Sequence, residues 1–363
     1  MHKTSASPLA LAYVALIVYA SLYPFSDWRD QGLAPWAFMT APWPRYWTGF
    51  DVAINLAGYL PLGGLLALSR LRARRTHSVV LPVLVGLILS LSMEALQSYL
   101  PSRVASREDL LLNVCGTGMG AVGTLFLDRW GVIRRWSRLR ARWFVEQSRG
   151  GMVLLATWPV ALMFPAAVPF GLGQVQSRVE EVLANQFVGT SLAGWLPQHH
   201  NSLVPLGPIA EMVCVFLGLL IPCLLGFCVI RSVRRRLLLV WMVVTLGVVA
   251  TALSAALSWG PAHAWAWLGT PALVGIGLCV LASLLLLLIP WRSGAALLLL
   301  ALGVYLSLLN QAPESPYFAQ TLQAWEQGRF IRFHGLAQWL GWLWPYATLL
   351  YVLSQMGSAD EKN

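Results

Sequence analysis

The chain has 363 residues, of which 57% are hydrophobic and 11% charged, and its mean hydropathy is +0.64. A soluble domain carries about 25% charged residues, so this composition has too few charges to cover a water-facing surface. The net charge of +10 and pI near 9.8 would point to nucleic acid in a soluble protein. Here the basic residues cluster between apolar runs, and their placement follows membrane sidedness instead.

Taken in chain order, the apolar runs fall near 8–24, 51–69, 78–100, 109–128, 151–170, 208–230, 237–259, 271–290, 295–310 and 337–355. Each is close to the roughly 20 residues a helix needs to cross a hydrocarbon core. The runs are continuous rather than alternating, which speaks against a barrel. The expected fold is therefore all-α: a polytopic membrane helical bundle of about ten transmembrane helices.

The first run could be read as a secretory signal, with Lys3 before it and Val18-Tyr19-Ala20 as a cleavage site. It is read here as an uncleaved span, and the sidedness downstream is the same either way. With the N-terminus inside, 18 of the 25 Lys and Arg residues fall on the cytoplasmic side and 7 outside. The positive-inside rule then favours N-in and C-in. The expected location is a bacterial cytoplasmic (inner) membrane, with membrane lipids as partners and no nucleic acid.

Four parts are expected. Residues 1–130 form a first transmembrane block. Residues 131–150 form a basic amphipathic linker, in which Ile133, Trp136, Leu139 and Trp143 recur at helical spacing among arginines. Such a segment should lie on the anionic cytoplasmic leaflet. Residues 151–295 form a second block, and 296–363 hold two further spans and the tail. The outer loop 25–50 carries Trp28, Trp36, Trp43 and Trp47, as expected of a segment at the headgroup level.

At a constant offset of 160, Asp51, Gly58, Arg74, Arg75, Ser98 and Pro101 align with Glu211, Gly218, Arg234, Arg235, Ser258 and Pro261. The alignment suggests a parallel repeat of two four-helix blocks, although low-complexity apolar sequence also produces such matches. Positions matching Asn55, Glu94, Gln97 and Asp109 are Val215, Ser254, Leu257 and Gly269. The polar face is expected only in the first block.

That face is concentrated. Asp51, Asn55 and Gly58 share one stripe of span two, followed by Pro61 and Gly63. Ser90, Glu94 and Gln97 share a face of span three. The loop Pro101-Ser-Arg103-Val-Ala-Ser-Arg107-Glu follows, and span four opens with Asp109 and Asn113, then Gly116 and Gly120. Given the sidedness, the three stripes meet at the outer surface, with the glycines letting the helices approach. Singly, each residue has a plainer role. Asp51 and Asp109 can cap helices, Asn55 and Asn113 can join helices, and Arg103 and Arg107 can be solvated. Glu94 costs most, since it lies about two turns inside a span, where a carboxylate is penalised by roughly 2.5–3.5 kcal/mol.

The pattern Asp-x3-Asn-x2-Gly-x2-Pro-Leu-Gly, then Glu-x2-Gln, then Pro-x-Arg-x5-Asp-x3-Asn-x2-Gly-x3-Gly resembles that of the VanZ-like membrane proteins. Ser21-Leu-Tyr-Pro-Phe25 also resembles the family, while Tyr59 stands where the family often has Phe. The resemblance covers about residues 10–130. It implies a cell-envelope membrane protein; the family's namesake is associated with teicoplanin resistance, which is not carried over to this chain.

Other chemistry is sparse. Cys115, Cys214, Cys223, Cys228 and Cys279 sit in apolar spans without a CxxC pair and read as small hydrophobes. No Gly-rich phosphate loop, HExxH or Ser/His/Asp arrangement occurs, and adjacent His199 and His200 point apart, so neither metal nor cofactor is expected. The expected ligand-binding residues are Asp51, Asn55, Glu94, Gln97, Arg103, Arg107, Asp109 and Asn113; Gly58, Pro61, Gly63, Gly116 and Gly120 are structural. Three functions fit them: binding of a lipid-linked envelope glycan or anionic headgroup, proton-coupled transport or lipid flipping through Glu94, or a membrane enzyme using Glu94 and Asp109 as acid and base.

Overall fold

The computed structural model describes residues 6–23, 25, 27–43, 49–145, 148–164, 166–176, 179, 206–312 and 331–360. Eleven α-helices lie in this range: α1 Ala6–Leu22, α2 Gly49–Arg72, α3 Val80–Gln97, α4 Arg107–Arg129, α5 Val132–Trp143, α6 Arg149–Ala161, α7 Pro208–Val229, α8 Val233–Trp259, α9 Thr270–Leu285, α10 Trp291–Leu309 and α11 Ile331–Asp360. No strand occurs among the described residues, only an isolated bridge between Phe144 and Ile230. Six of these helices are long and apolar enough to cross a membrane, namely α2, α3, α4, α7, α8 and α10. Two more, α1 and α9, are apolar but shorter. The described residues are thus those of an all-helical, multi-pass membrane protein, with six helices of full spanning length among them.

The chain divides into two compact units, Met1–Leu139 and Arg140–Asn363. The first is built on α2 packed against α4. Glycine makes that packing close: a Cβ at Gly63 would overlap the Thr117 carbonyl, one at Gly116 the Leu56 carbonyl, and one at Gly120 the Leu60 carbonyl. Backbone meets backbone there, as in small-xxx-small helix pairs. Gly58 departs from this expectation. A Cβ there would meet nothing within 4 Å, and the Gly58 carbonyl accepts from the Tyr13 hydroxyl of α1 at 2.9 Å. Pro61 lies inside α2, where it removes one helical N–H without ending the helix.

The second unit is centred on α7. This helix is apolar all round, as a helix enclosed by others should be, and 83% of its apolar window is buried. It packs chiefly against α9 and α10, with α6 and α8 beside it, while α11 packs on α6. The helices that cover 296–363, α10 and α11, pack within this second unit.

The run expected as a helix over 151–170 is helical only to Ala161. Beyond it the chain contains Pro165, Pro169, Gly171 and Gly173, residues that interrupt a helix. Irregular backbone at membrane depth must be satisfied by protein, and here it is. Tyr305 donates to the Phe170 carbonyl at 2.7 Å and accepts from the Leu172 amide. Asn310 Oδ1 accepts from the amides of Val175 and Gln176 at 3.2 and 3.1 Å, and Tyr346 donates to the Gly173 carbonyl at 3.2 Å.

Helix α5 has no buried residue. Its Trp136 and Leu139 are exposed while its C-terminal end is tied down, with Val145 donating to the Val229 carbonyl at 3.0 Å and the Arg235 guanidinium lying over the Trp143 ring. His199, His200, Glu314, Glu326 and Arg329 lie outside the described residues, as do the side chains of Arg332 and His334.

Candidate functional site

The polar stripes of the first unit meet at one end of its bundle, where α2 and α4 begin and α3 ends. Ser106 organises the junction as N-cap of α4, its Oγ accepting from the Asp109 amide at 3.1 Å. Asp109 stands at the third helical position, from which a capping-box carboxylate reaches back to the cap's own amide. That role passes to another helix. Glu94 Oε2 of α3 accepts from the Ser106 amide at 2.8 Å, and Asp109 Oδ1 accepts from Asn55 Nδ2 of α2 at 2.6 Å. Two carboxylates therefore gather at the positive end of α4, which a helix dipole favours, and each ties α4 to a neighbouring helix.

Glu94 is 3% exposed, so its burial is offset at least by the amide of Ser106. Gln97, one turn further on, donates to the Ser21 carbonyl at 2.9 Å and so holds the end of α1. Arg103 does similar work, donating to the carbonyls of Tyr23 at 2.6 Å and Ala20 at 3.4 Å. Arg107 lies on the outside of the junction, 4.2 Å over the Trp43 ring and 3.3 Å from Glu108. The loop after α1 is drawn over the same end: Arg29 donates its amide to Tyr99 and Gln31 its carboxamide to Ser98. Asp51 lies in the first turn of α2, and its side chain is outside the described residues.

Beneath this junction lies a buried polar cluster contributed by three helices. Asn113 Nδ2 of α4 donates to Ser90 Oγ of α3 at 3.0 Å. Tyr59 of α2 brings its hydroxyl beside Ser90 and within the field of Glu94. Ser90 is fully buried, and Tyr59 and Asn113 are each 5% exposed. Two polar atoms of this cluster, the Tyr59 hydroxyl and Asn113 Oδ1, have no well-formed hydrogen bond among the described residues. Whichever way round the Asn113 carboxamide is set, one of its two polar ends faces no partner.

Asn55, Glu94, Asp109 and Asn113 are thus brought to one end of one bundle, with Gln97 and Arg103 holding α1 beside them. Spacing alone did not single out Ser106, Glu108 or Tyr59. Ser106 was legible as a Ser-x-x-Asp cap before an apolar run. Tyr59 falls one position after Gly58, and nothing in the spacing marks its hydroxyl as buried.

Residues 5–128, which hold α1 to α4 and every member of the constellation, match the family model described as VanZ/LLP1. No curated protein and no solved structure matches the chain. The match falls within the first unit and takes in the polar junction of α2, α3 and α4, so it supports a VanZ-like assignment for that third of the chain.

Proposed function

We propose that this end of the first unit faces outward and binds the hydroxyl-bearing headgroup of a membrane lipid, a lipid-linked envelope glycan fitting best. The observation that carries the reading is a pair of buried polar atoms, the Tyr59 hydroxyl and Asn113 Oδ1, that make no well-formed hydrogen bond among the described residues. A buried polar atom left without a partner costs about 1–3 kcal/mol. One is a donor and the other an acceptor, and a sugar hydroxyl is both. The arginines support a polar ligand over a purely anionic one, since Arg103 is bonded to carbonyls of α1 and Arg107 rests against Glu108 and Trp43.

Binding is favoured over acid–base chemistry or proton transfer. Both central carboxylates are engaged in joining helices, Glu94 accepting from the Ser106 amide and Asp109 from Asn55.

The test is the lipid content of full-length protein purified in mild detergent, read by mass spectrometry for wild type, Tyr59→Phe and Asn113→Leu. A glycan-bearing or hydroxyl-bearing lipid should be enriched on wild type and depleted at least several-fold on both variants. Identical lipid profiles for all three would refute the reading.

A further inference from the structure

The second unit holds a cavity of about 390 Å³ between the start of α7, the end of α8, the start of α9 and the irregular segment after α6. Most of its lining side chains are apolar, with Phe164, Phe170, Trp259 and Trp267 among them, while polar atoms make up nearly half of the surface it exposes. The polar lining side chains are Glu211, Thr251 and Ser254, and no Lys, Arg or His is among the described lining residues. We infer that this cavity is a second binding site, specific for an organic ammonium group.

Three observations converge on a cation. Glu211, in the first turn of α7, brings a carboxylate to the cavity, and no cationic side chain of the described lining stands beside it. A carboxylate with no cationic neighbour attracts a cationic ligand. Ser254 is used internally, donating to the Met163 carbonyl at 2.9 Å, but Thr251 Oγ1 is buried without a hydrogen-bond partner. Thr251 therefore has acceptor capacity for an N–H donor. The rings complete the site, since ammonium groups are attracted to aromatic faces. Trp267 is held in place for this, its Nε1 donating to the Ala264 carbonyl at 2.9 Å and its ring meeting Phe170 edge-on at 5.5 Å.

The position of the cavity has a further feature. At the offset of 160, its residues Glu211, Ser254 and Gly269 correspond to Asp51, Glu94 and Asp109 of the first unit. Where the first unit fills the junction with Glu94 and Asp109, the second has a short hydroxyl and no side chain, which leaves room for a ligand. This inference stands apart from the site in the first unit, because no residue is shared.

The ammonium can belong to a lipid headgroup or to a free amine, and the experiment separates the two. Full-length protein in nanodiscs of phosphatidylglycerol is titrated with n-hexylammonium, with n-hexanol as the uncharged control, by calorimetry. Hexylammonium should bind at least tenfold more tightly than hexanol. Glu211→Gln should weaken it about tenfold and Trp259→Leu several-fold. Trp259 is 45% exposed, so that variant remains informative if Glu211→Gln folds poorly. Repetition in phosphatidylethanolamine nanodiscs assigns the source: weaker apparent binding there means the lipid headgroup competes for the site, and unchanged binding means a free amine. Equal affinity for hexylammonium and hexanol, or unchanged binding in both variants, would overturn the inference.

Discussion

At the scale of single residues, the first unit turns on which helix supplies the carboxylate at each amide. Sequence spacing places Asp109 and Asn113 on one stripe and Glu94 on another, but it does not say that Glu94 takes the Ser106 amide while Asp109 turns to Asn55. That exchange depends on how close α2 and α4 come, which the glycines set. Ser106→Ala should cost about 1 kcal/mol, as loss of a helix cap does, seen as a lower midpoint of thermal unfolding in detergent. The glycines give a sharper pair. Gly120→Ala forces a Cβ onto the Leu60 carbonyl, and overpacking of this kind costs about 1–3 kcal/mol. Gly58→Ala adds a methyl where nothing lies within 4 Å, and replacing a mid-helix glycine should stabilise by about 0.5–1 kcal/mol. Opposite shifts of the unfolding midpoint are expected for the two; shifts of the same sign would mean that α2 and α4 are packed otherwise.

Among the elements, the helices of the first unit were readable because hydropathy, caps and polar stripes agree there. The segment after α6 was not. Its apolar length suggested a span through residue 170, although Pro165, Pro169, Gly171 and Gly173 were visible breaks. Hydropathy reports burial and does not distinguish a helix from an irregular segment held by its neighbours. The partners that hold this segment, Tyr305, Asn310 and Tyr346, lie more than a hundred residues away, and no local pattern announces them. Tyr305→Phe should leave the Phe170 carbonyl and the Leu172 amide unsatisfied, at a cost of about 1–3 kcal/mol. Hydrogen exchange across 166–176 should then accelerate, while α2 to α4 exchange as before. Uniform acceleration over the whole chain would argue against a local role. The same segment contributes Phe170 to the wall of the second cavity; Glu211 and Ser254 were visible in the sequence, but periodicity could not bring this irregular segment beside them.

For the molecule as a whole, the first unit is built on α2 packed against α4, and the second on α7 packed against both α9 and α10. The expected sidedness rests on the 18-to-7 division of basic residues and is open to direct labelling. A cysteine at Ser102 should react with an impermeant reagent on intact cells, and one at Ser137 should react only after the membrane is opened; the reverse pattern would invert the chain and move the proposed sites to the inner face. The most direct measurement of the central proposal is the gain in unfolding temperature when delipidated protein is reloaded with a bacterial membrane lipid extract, since a ligand that binds the folded state raises its stability. Wild type should gain on reloading. Delipidated Tyr59→Phe should unfold at or above the temperature of delipidated wild type, because it buries one fewer unpartnered hydroxyl, and should gain distinctly less on reloading. An equal gain in the two proteins, or a delipidated Tyr59→Phe that unfolds well below wild type, would contradict a ligand site at the junction of α2, α3 and α4.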